Sequence, residues 1–349
     1  MFTRWKIFAV LVSLCVSLCL SQGGSRAETD NPDGYRLSGP VLHGNLAIYF
    51  VHGQSRGGPV PLTLQEAMAK KVVEVREIGR VNEVQVENSG DEEVFIQAGD
   101  IVKGGQQDRV LSVSLMLPPR SGAISVASYC VESGRWSARG GEDAHMFSGS
   151  NAILPSRRAK LEMAGSGASR PDGVRDLRQQ EVWRSVAQIQ GKLSSNLGAP
   201  VAAPRSQTSL QLSLENGQLE REQAEYVAAI EPQGEHDTDI VGYVFAVNGK
   251  VNSGDIYPSN GLFRKMWPKL LRASITEAIG EREVGSEPPP PAAAVNDFIN
   301  PAIRSQTVET RAGERTRIRV NESPKVMSLE SRPAAAPADA WLHRSYIAK

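Results

Sequence analysis

The chain has 349 residues, with Lys+Arg and Asp+Glu balanced at 39 each and five scattered histidines. That balance excludes a global field that would draw in nucleic acid or an anionic membrane, and so few histidines argue against a multi-histidine metal site. The length suits one large domain or two small ones.

The first segment, 1–27, is expected to be a cleaved export signal. Arg4 and Lys6 supply its positive start, Ile7 to Leu20 is apolar apart from Ser13 and Ser17, and Ser25-Arg26-Ala27 offers a small-residue cleavage site. A membrane anchor is the alternative, but the run falls short of the roughly 20 residues that span a bilayer. Leu14 and Leu18 before Cys15 and Cys19 disfavour a lipoprotein signal. The expected product is periplasmic or extracellular, with no membrane span after cleavage. Its only thiol is Cys130, so no internal disulfide supports the fold.

Leu46 to Val51 predicts a strand, and Thr63 to Lys71 a short helix with Thr63 and Glu66 spaced as a capping box. Strands follow over Val72 to Ile78, Val81 to Glu87 and Val94 to Gln97. Leu111, Val113, Leu115 and Leu117 alternate as one strand, and Ile124, Val126, Ser128 and Cys130 share a face of the next. Strands so closely joined predict an antiparallel sheet.

The segment 137–173, rich in Gly, Ser, Ala and Arg, predicts a long mobile surface loop. Helices are expected over Glu181 to Leu193, over Gly217 to Ile230 after Asn216, and from a Ser259 cap through Ile279 with a kink or restart at Pro268. Between the last two, Asn248-Gly249 joins Ile240–Val247 to the next strand as a type I′ hairpin. Glu287 to Ala294 predicts a stiff linker, within boundaries 286–295. The remaining segment, 296–349, contains an alternating Thr316, Ile318 and Val320 and a final strand candidate from Trp341 to Ile347. The expected fold is a single α+β domain over 28–285, a mainly antiparallel sheet with three to four packed helices.

Two polar clusters are the candidate site: Asp100, Gly104, Gly105, Gln106, Gln107, Asp108 and Arg109, then Cys130, Glu132, Arg135 and Trp136. Paired glycines build an anion-binding nest, and Arg109 suits a phosphate or carboxylate. The alternative is a structural network in which Arg109 pairs with Asp100, Asp108 or Glu132. As a ligand contact, Arg109 is expected to emerge at a strand end beside the glutamines. Cys130 is either a reactive thiol or a small core residue, and Trp136 either a stacking platform or core.

Gly53-Gln54-Ser55-Arg56-Gly57 matches G-x-S-x-G, but Gly57-Gly58-Pro59 forbids the helix that a nucleophile elbow needs. Glu235 to Asp239 gathers hard ligands around His236, more in keeping with a solvated loop than a cation site, and His343 with Asp339 has no metal-ligand spacing. No metal is expected, and no cofactor is implied. The partner is a small molecule or an extracytoplasmic protein.

The order TLQEAM, the Gly99 to Arg109 run, CVESGRWS, Glu181-Val182-Trp183, the Asn248 turn and the Phe263 to Ala278 helix resembles the ARG and Rhodanese-Phosphatase-superfamily associated proteins, or ARPP family, from about Leu46 to Ile279. The terminal Trp341 to Ile347 resembles the family's closing strand. The family's run is Lys-Gln-Asn-Arg-like, and here Gln106-Gln107-Asp108-Arg109 keeps the second Gln and the Arg. The resemblance brings no established activity, and its name implies an association with ADP-ribose chemistry. Two functions follow as expectations: a non-catalytic domain binding through the polar clusters, or a hydrolase of a phosphorylated or ADP-ribose-like substrate using Asp100, Asp108 or Glu132.

Overall fold

The computed structural model describes residues 33–164, 172–285, 287–300, 306–335, 337 and 340–349. The expected export signal, residues 165–171 of the expected loop, and Asp339 lie outside them. Among the described residues no helix is long and apolar enough to cross a membrane.

The chain opens with β1 (Arg36–His43), β2 (Leu46–His52), β3 (Leu62–Thr63), α1 (Leu64–Ala69), β4 (Val73–Glu77), β5 (Glu83–Asn88) and β6 (Val94–Ile96). It continues through β7 (Asp100–Gly104), β8 (Arg109–Leu111), β9 (Leu115–Leu117), β10 (Gly122–Cys130), β11 (Met146–Ile153), α2 (Arg157–Ala164), α3 (Asp172–Leu197), α4 (Leu210–Leu214) and α5 (Gly217–His236). It ends with β12 (Ile240–Val247), β13 (Lys250–Ile256), α6 (Asn260–Gly280), α7 (Ala292–Phe298), β14 (Gln306–Ala312), β15 (Thr316–Glu322), β16 (Val326–Pro333) and β17 (His343–Ala348).

These form an eight-stranded sheet in the order β1-β2-β12-β13-β17-β16-β15-β14, a closed barrel β10-β5-β4-β11-β7-β8, and a small sheet β3-β6-β9. Among the described strands only β3 and β6 pair in parallel, so the fold is α+β and mainly antiparallel.

Local chemistry explains several elements. In β5, Val84 and Val86 are buried while Glu83, Gln85 and Glu87 are half-exposed. Thr63 Oγ1 accepts from Glu66 N at 3.2 Å and Glu66 Oε2 accepts from Thr63 N at 2.8 Å, the reciprocal cap. Asn248 and Gly249 both have positive φ, 51° and 77°, as a type I′ turn requires. Pro268 leaves α6 unbroken. The lost backbone bond costs about 3 kcal/mol, and α6 offsets it by burying Phe263, Met266, Trp267, Leu270, Leu271 and Ile275.

One core lies between the inner face of β2 and β12 and helices α3, α5 and α6, with Ile48, Phe50, Tyr243 and Trp267 at its centre. A second fills the barrel with Val75, Val86, Val102 and Leu111. A third packs Val295, Phe298 and Ile299 against the outer face of the large sheet.

Four expectations are corrected. The alternating 111–117 segment is two strands: β8 belongs to the barrel and β9 to the small sheet, with Ser112–Ser114 crossing between them. The segment expected to be a loop contains β11 and α2. Ser148, Gly149, Ser150 and Asn151 give β11 no apolar alternation, and pairing with β4 and β7 makes it a strand. The expected linker folds partly as α7, and 306–348 supplies four strands: the alternating Thr316, Ile318 and Val320 lie in β15 and most of the expected final strand in β17, while β14 and β16 are additional. One of them, β17, lies mid-sheet between β13 and β16.

Candidate functional site

The glycines shape the first cluster. Gly104 and Gly105 have φ of 111° and 55°, and a Cβ on Gly105 would lie 2.6 Å from the Phe147 ring. Their turn delivers Asp108 and Arg109 to the interior. Arg109 does not emerge: it is fully buried. Its Nη2 donates to Glu77 Oε2 at 2.8 Å, and Nη1 donates to Val81 O at 2.6 Å and to Cys130 Sγ. The half-exposed Trp136 lies over it, 5.7 Å from Cζ to the ring centroid. The partner is Glu77, at the end of β4, rather than any of the three carboxylates expected.

Asp108 and Glu132 are both buried and face two arginines. Arg139 donates to Asp108 at 2.9 and 3.0 Å and to Glu132 at 3.2 Å, and Arg135 meets Glu132 at 2.6 Å. Asp108 also accepts from Ser209 Oγ at 2.6 Å and Gly104 N at 2.9 Å. Ser206 Oγ donates to Glu132. Burial pushes the Glu132 carboxyl up, but bonds from Arg135, Ser206 and the Asp108 amide hold it below its ordinary value. Burial raises the Cys130 thiol to about 11, with Arg109 opposing and Glu77 and Glu132 reinforcing the rise. Such a thiol stays protonated at neutral pH.

Gln106 and Gln107 lie in the same turn, and Gln106 Oε1 is buried without a partner. Asp100 sits apart, at the other end of β7. It accepts from Lys269 Nζ, from Gln97 N at 2.9 Å and from Gln65 Nε2 at 3.3 Å. The clusters therefore meet at one end of the barrel, except for Asp100, and their charges are paired inside the protein. Arg139 was missed by sequence reasoning. Its signal was its four-residue spacing from Arg135 in Arg135-Trp136-Ser137-Ala138-Arg139.

A different feature opens to solvent. A slot of about 250 Å³ separates β10 from β15 and β16, walled by Val113, Val126, Tyr129, Ile318 and Leu329. Two residues along it, Ser128 and Asn82, each carry a buried side-chain atom, Oγ and Oδ1, without a hydrogen-bond partner. Larger hollows, of about 770 Å³ beside α5 and α6 and about 610 Å³ beside α7, are lined by none of the buried unpartnered atoms.

The slot continues, through shared walls at Val113, Met163 and Leu329, into a space of about 50 Å³ that reaches Lys160, Asp255 and His343. Ser114 Oγ accepts from Ala98 N at 2.9 Å and lies 2.9 Å from His343 Nδ1, while His343 Nε2 lies 3.0 Å from Asp255 Oδ1. Burial pushes Asp255 up, but His343 holds it below its ordinary value. An ionised Asp255 accepts from Nε2–H, which leaves Nδ1 to accept from the Ser114 hydroxyl. The Lys160 ammonium lines the same space, and its charge helps hold Asp255 low. The inner end thus offers a positive charge and a fixed hydroxyl–imidazole–carboxylate chain. Sequence gave no sign of it, since Ser114 and His343 are 229 positions apart.

Ser55 lies in a loop, as its glycines and prolines predict, and its Oγ accepts from Asn260 N at 2.9 Å.

No curated protein and no solved structure matches the chain. The model of the ARPP-1 domain, the ARG and Rhodanese-Phosphatase-superfamily-associated Protein domain, matches residues 34–347, including the four C-terminal strands. The chain therefore belongs to the ARPP-1 family.

Proposed function

We propose that this chain is an exported ligand-binding domain, and that the slot beside β10 holds a small, mainly apolar molecule with a polar end. One observation carries the reading: two residues along the slot, Ser128 and Asn82, each hold a buried polar atom with an unmade hydrogen bond. Leaving such a group unsatisfied costs about 1–3 kcal/mol, and a ligand recovers that loss when the side chains turn to meet it. The volume sits just below the roughly 300 Å³ at which drug-sized pockets begin, which favours a compact ligand over a dinucleotide. The polar clusters of 99–109 and 130–136 contribute by bracing the barrel behind the slot.

Hydrolysis through Asp100, Asp108 or Glu132 fits less well. Each carboxylate is buried and already bonded to a cation, so none is placed to take or give a proton.

The test is a thermal-shift metabolite screen on the chain from Glu28, with hits repeated on Ala127→Trp and Ser128→Val. Ala127 is exposed and lines the slot, so the tryptophan obstructs it without entering the core. Hits are expected to lose their shift in Ala127→Trp while the ligand-free melting temperature holds. Hits that bind both variants as tightly as the wild type would overturn the assignment.

A further inference from the structure

At the far edge of the large sheet, three residues from neighbouring strands converge on the inner side. Register pairs Arg36 with His52 and Ser38 with Phe50, which makes Ser38 and His52 diagonal neighbours on one face. Asp239 immediately precedes β12, whose Ile240 pairs with His52, and Gly53 N donates to Asp239 O at 2.9 Å. Backbone pairing therefore fixes all three positions.

The atoms are ordered. Ser38 Oγ lies 2.7 Å from His52 Nε2, and His52 Nδ1 lies 2.7 Å from Asp239 Oδ1. The other Asp239 oxygen accepts from Arg36 Nη2 at 3.0 Å. A carboxylate so held selects the tautomer with the proton on Nδ1 and leaves the Nε2 lone pair facing the serine hydroxyl. His52 is buried, which locks the ring, while Ser38 is only half-buried on an edge strand and Gly39 beside it is exposed. Arg36, two residues away on the same face, brings a positive charge to the site. Packing alone explains a buried imidazole with one partner. It does not require a hydroxyl, an imidazole and a carboxylate in relay order at a surface.

We propose that Ser38, His52 and Asp239 form a nucleophilic triad that cleaves carboxylic esters. Ser38 Oγ attacks the ester carbonyl carbon and its proton passes to His52 Nε2. The bond to the alcohol oxygen breaks, and the alcohol leaves with that proton. Water then attacks the acyl-serine, gives a proton to Nε2, and the carboxylic acid departs as Ser38 recovers its proton. Arg36, bonded to Asp239, holds the carboxylate that orients His52. The edge of the sheet leaves the site open, which suits small esters.

His52, Asp237 and Asp239 also offer ligand atoms within 4.8 Å of one another. A cation there would compete with Arg36 for Asp239 and displace a bond from a ring nitrogen that already has its partner.

The experiment is labelling of the chain from Glu28 with a fluorophosphonate probe, mapped by peptide mass spectrometry, beside hydrolysis of p-nitrophenyl acetate. The expected result is modification of Ser38, with turnover lost in Ser38→Ala. Asp239 is half-exposed, so Asp239→Asn is expected to fold, as its melting temperature will show. It should label more slowly by on the order of 10⁴-fold, as loss of the orienting carboxylate does in such triads. A folded wild type unlabelled at Ser38, equal labelling of Asp239→Asn, or labelling abolished by EDTA would each overturn the proposal.

Discussion

Arg109 and Glu77 meet at 2.8 Å with side chains 0% and 1% exposed, an ion pair sealed from solvent that ties β8 to the end of β4. A buried pair is weak evidence for stability, but breaking one is costly, because the survivor keeps its charge without its counter-charge.

Arg109→Ala is therefore expected to destabilise the fold by about 3–5 kcal/mol in urea melts. Replacing both partners, as Arg109→Met with Glu77→Leu, is expected to cost far less. A loss below about 0.5 kcal/mol for the single change, the scale of an ordinary surface substitution, would contradict the burial.

Cys130 is expected to be inert in the native protein. With its thiol raised to about 11 by burial, it should resist a thiol reagent at pH 8 and react fully in denaturing urea. Rapid native labelling at that pH would refute the inertness.

Gly105→Ala tests the turn. The left-handed backbone costs a non-glycine residue roughly 1–2 kcal/mol, and the new methyl meets the Phe147 ring, worth about 1–3 kcal/mol of overpacking. A combined loss of about 2–5 kcal/mol is expected in denaturant melts. Gly134, with positive φ but open space around it, should tolerate alanine better.

Acid should weaken the fold. The Glu132 and Glu330 carboxyls lie below their ordinary value because bonds and charge from neighbouring arginines outweigh burial. A depressed folded value contributes stability that is complete above the unfolded value, about 4.3 for Glu, and is lost as pH falls through the folded one. The urea midpoint should hold from neutral pH to about 5.5 and drop below about pH 4. A midpoint that rises on acidification would reverse the sign and refute the assignment.

Export predicts a processed chain. Mass spectrometry of the mature protein is expected to find an N-terminus near Glu28, after Ser25-Arg26-Ala27. An intact Met1 on a membrane-embedded product would defeat it.

What was legible in the sequence was local. The alternation of β5, the Thr63 cap, the Asn248-Gly249 turn and the α6 stripe each sit within one element, so a short window contains their cause. What was hidden is long-range. Glu77 lies 32 positions before Arg109, and no spacing rule links them. β11 is a strand only because β4 and β7 pair with it. The slot is a gap between β10 and strands almost 200 residues later, and no residue announces a gap. The polar run at 99–109 was conspicuous because buried ion pairs and a solvent-facing site draw on the same residue types.

The position of β17 has a consequence for synthesis. Among the described strands it is the last to leave the ribosome, yet it is the seam that joins β13 to β16. Until residues 343–348 emerge, each of those strands shows a bare edge of main-chain donors and acceptors, the surface on which chains pair wrongly. A holding chaperone or a protease thus has the interval between the emergence of β13 and that of β17 in which to act on this protein. A premature stop a few codons ahead of Tyr346 would remove that seam and leave the sheet in two parts, while a frameshift there would rewrite the strand on which both halves depend.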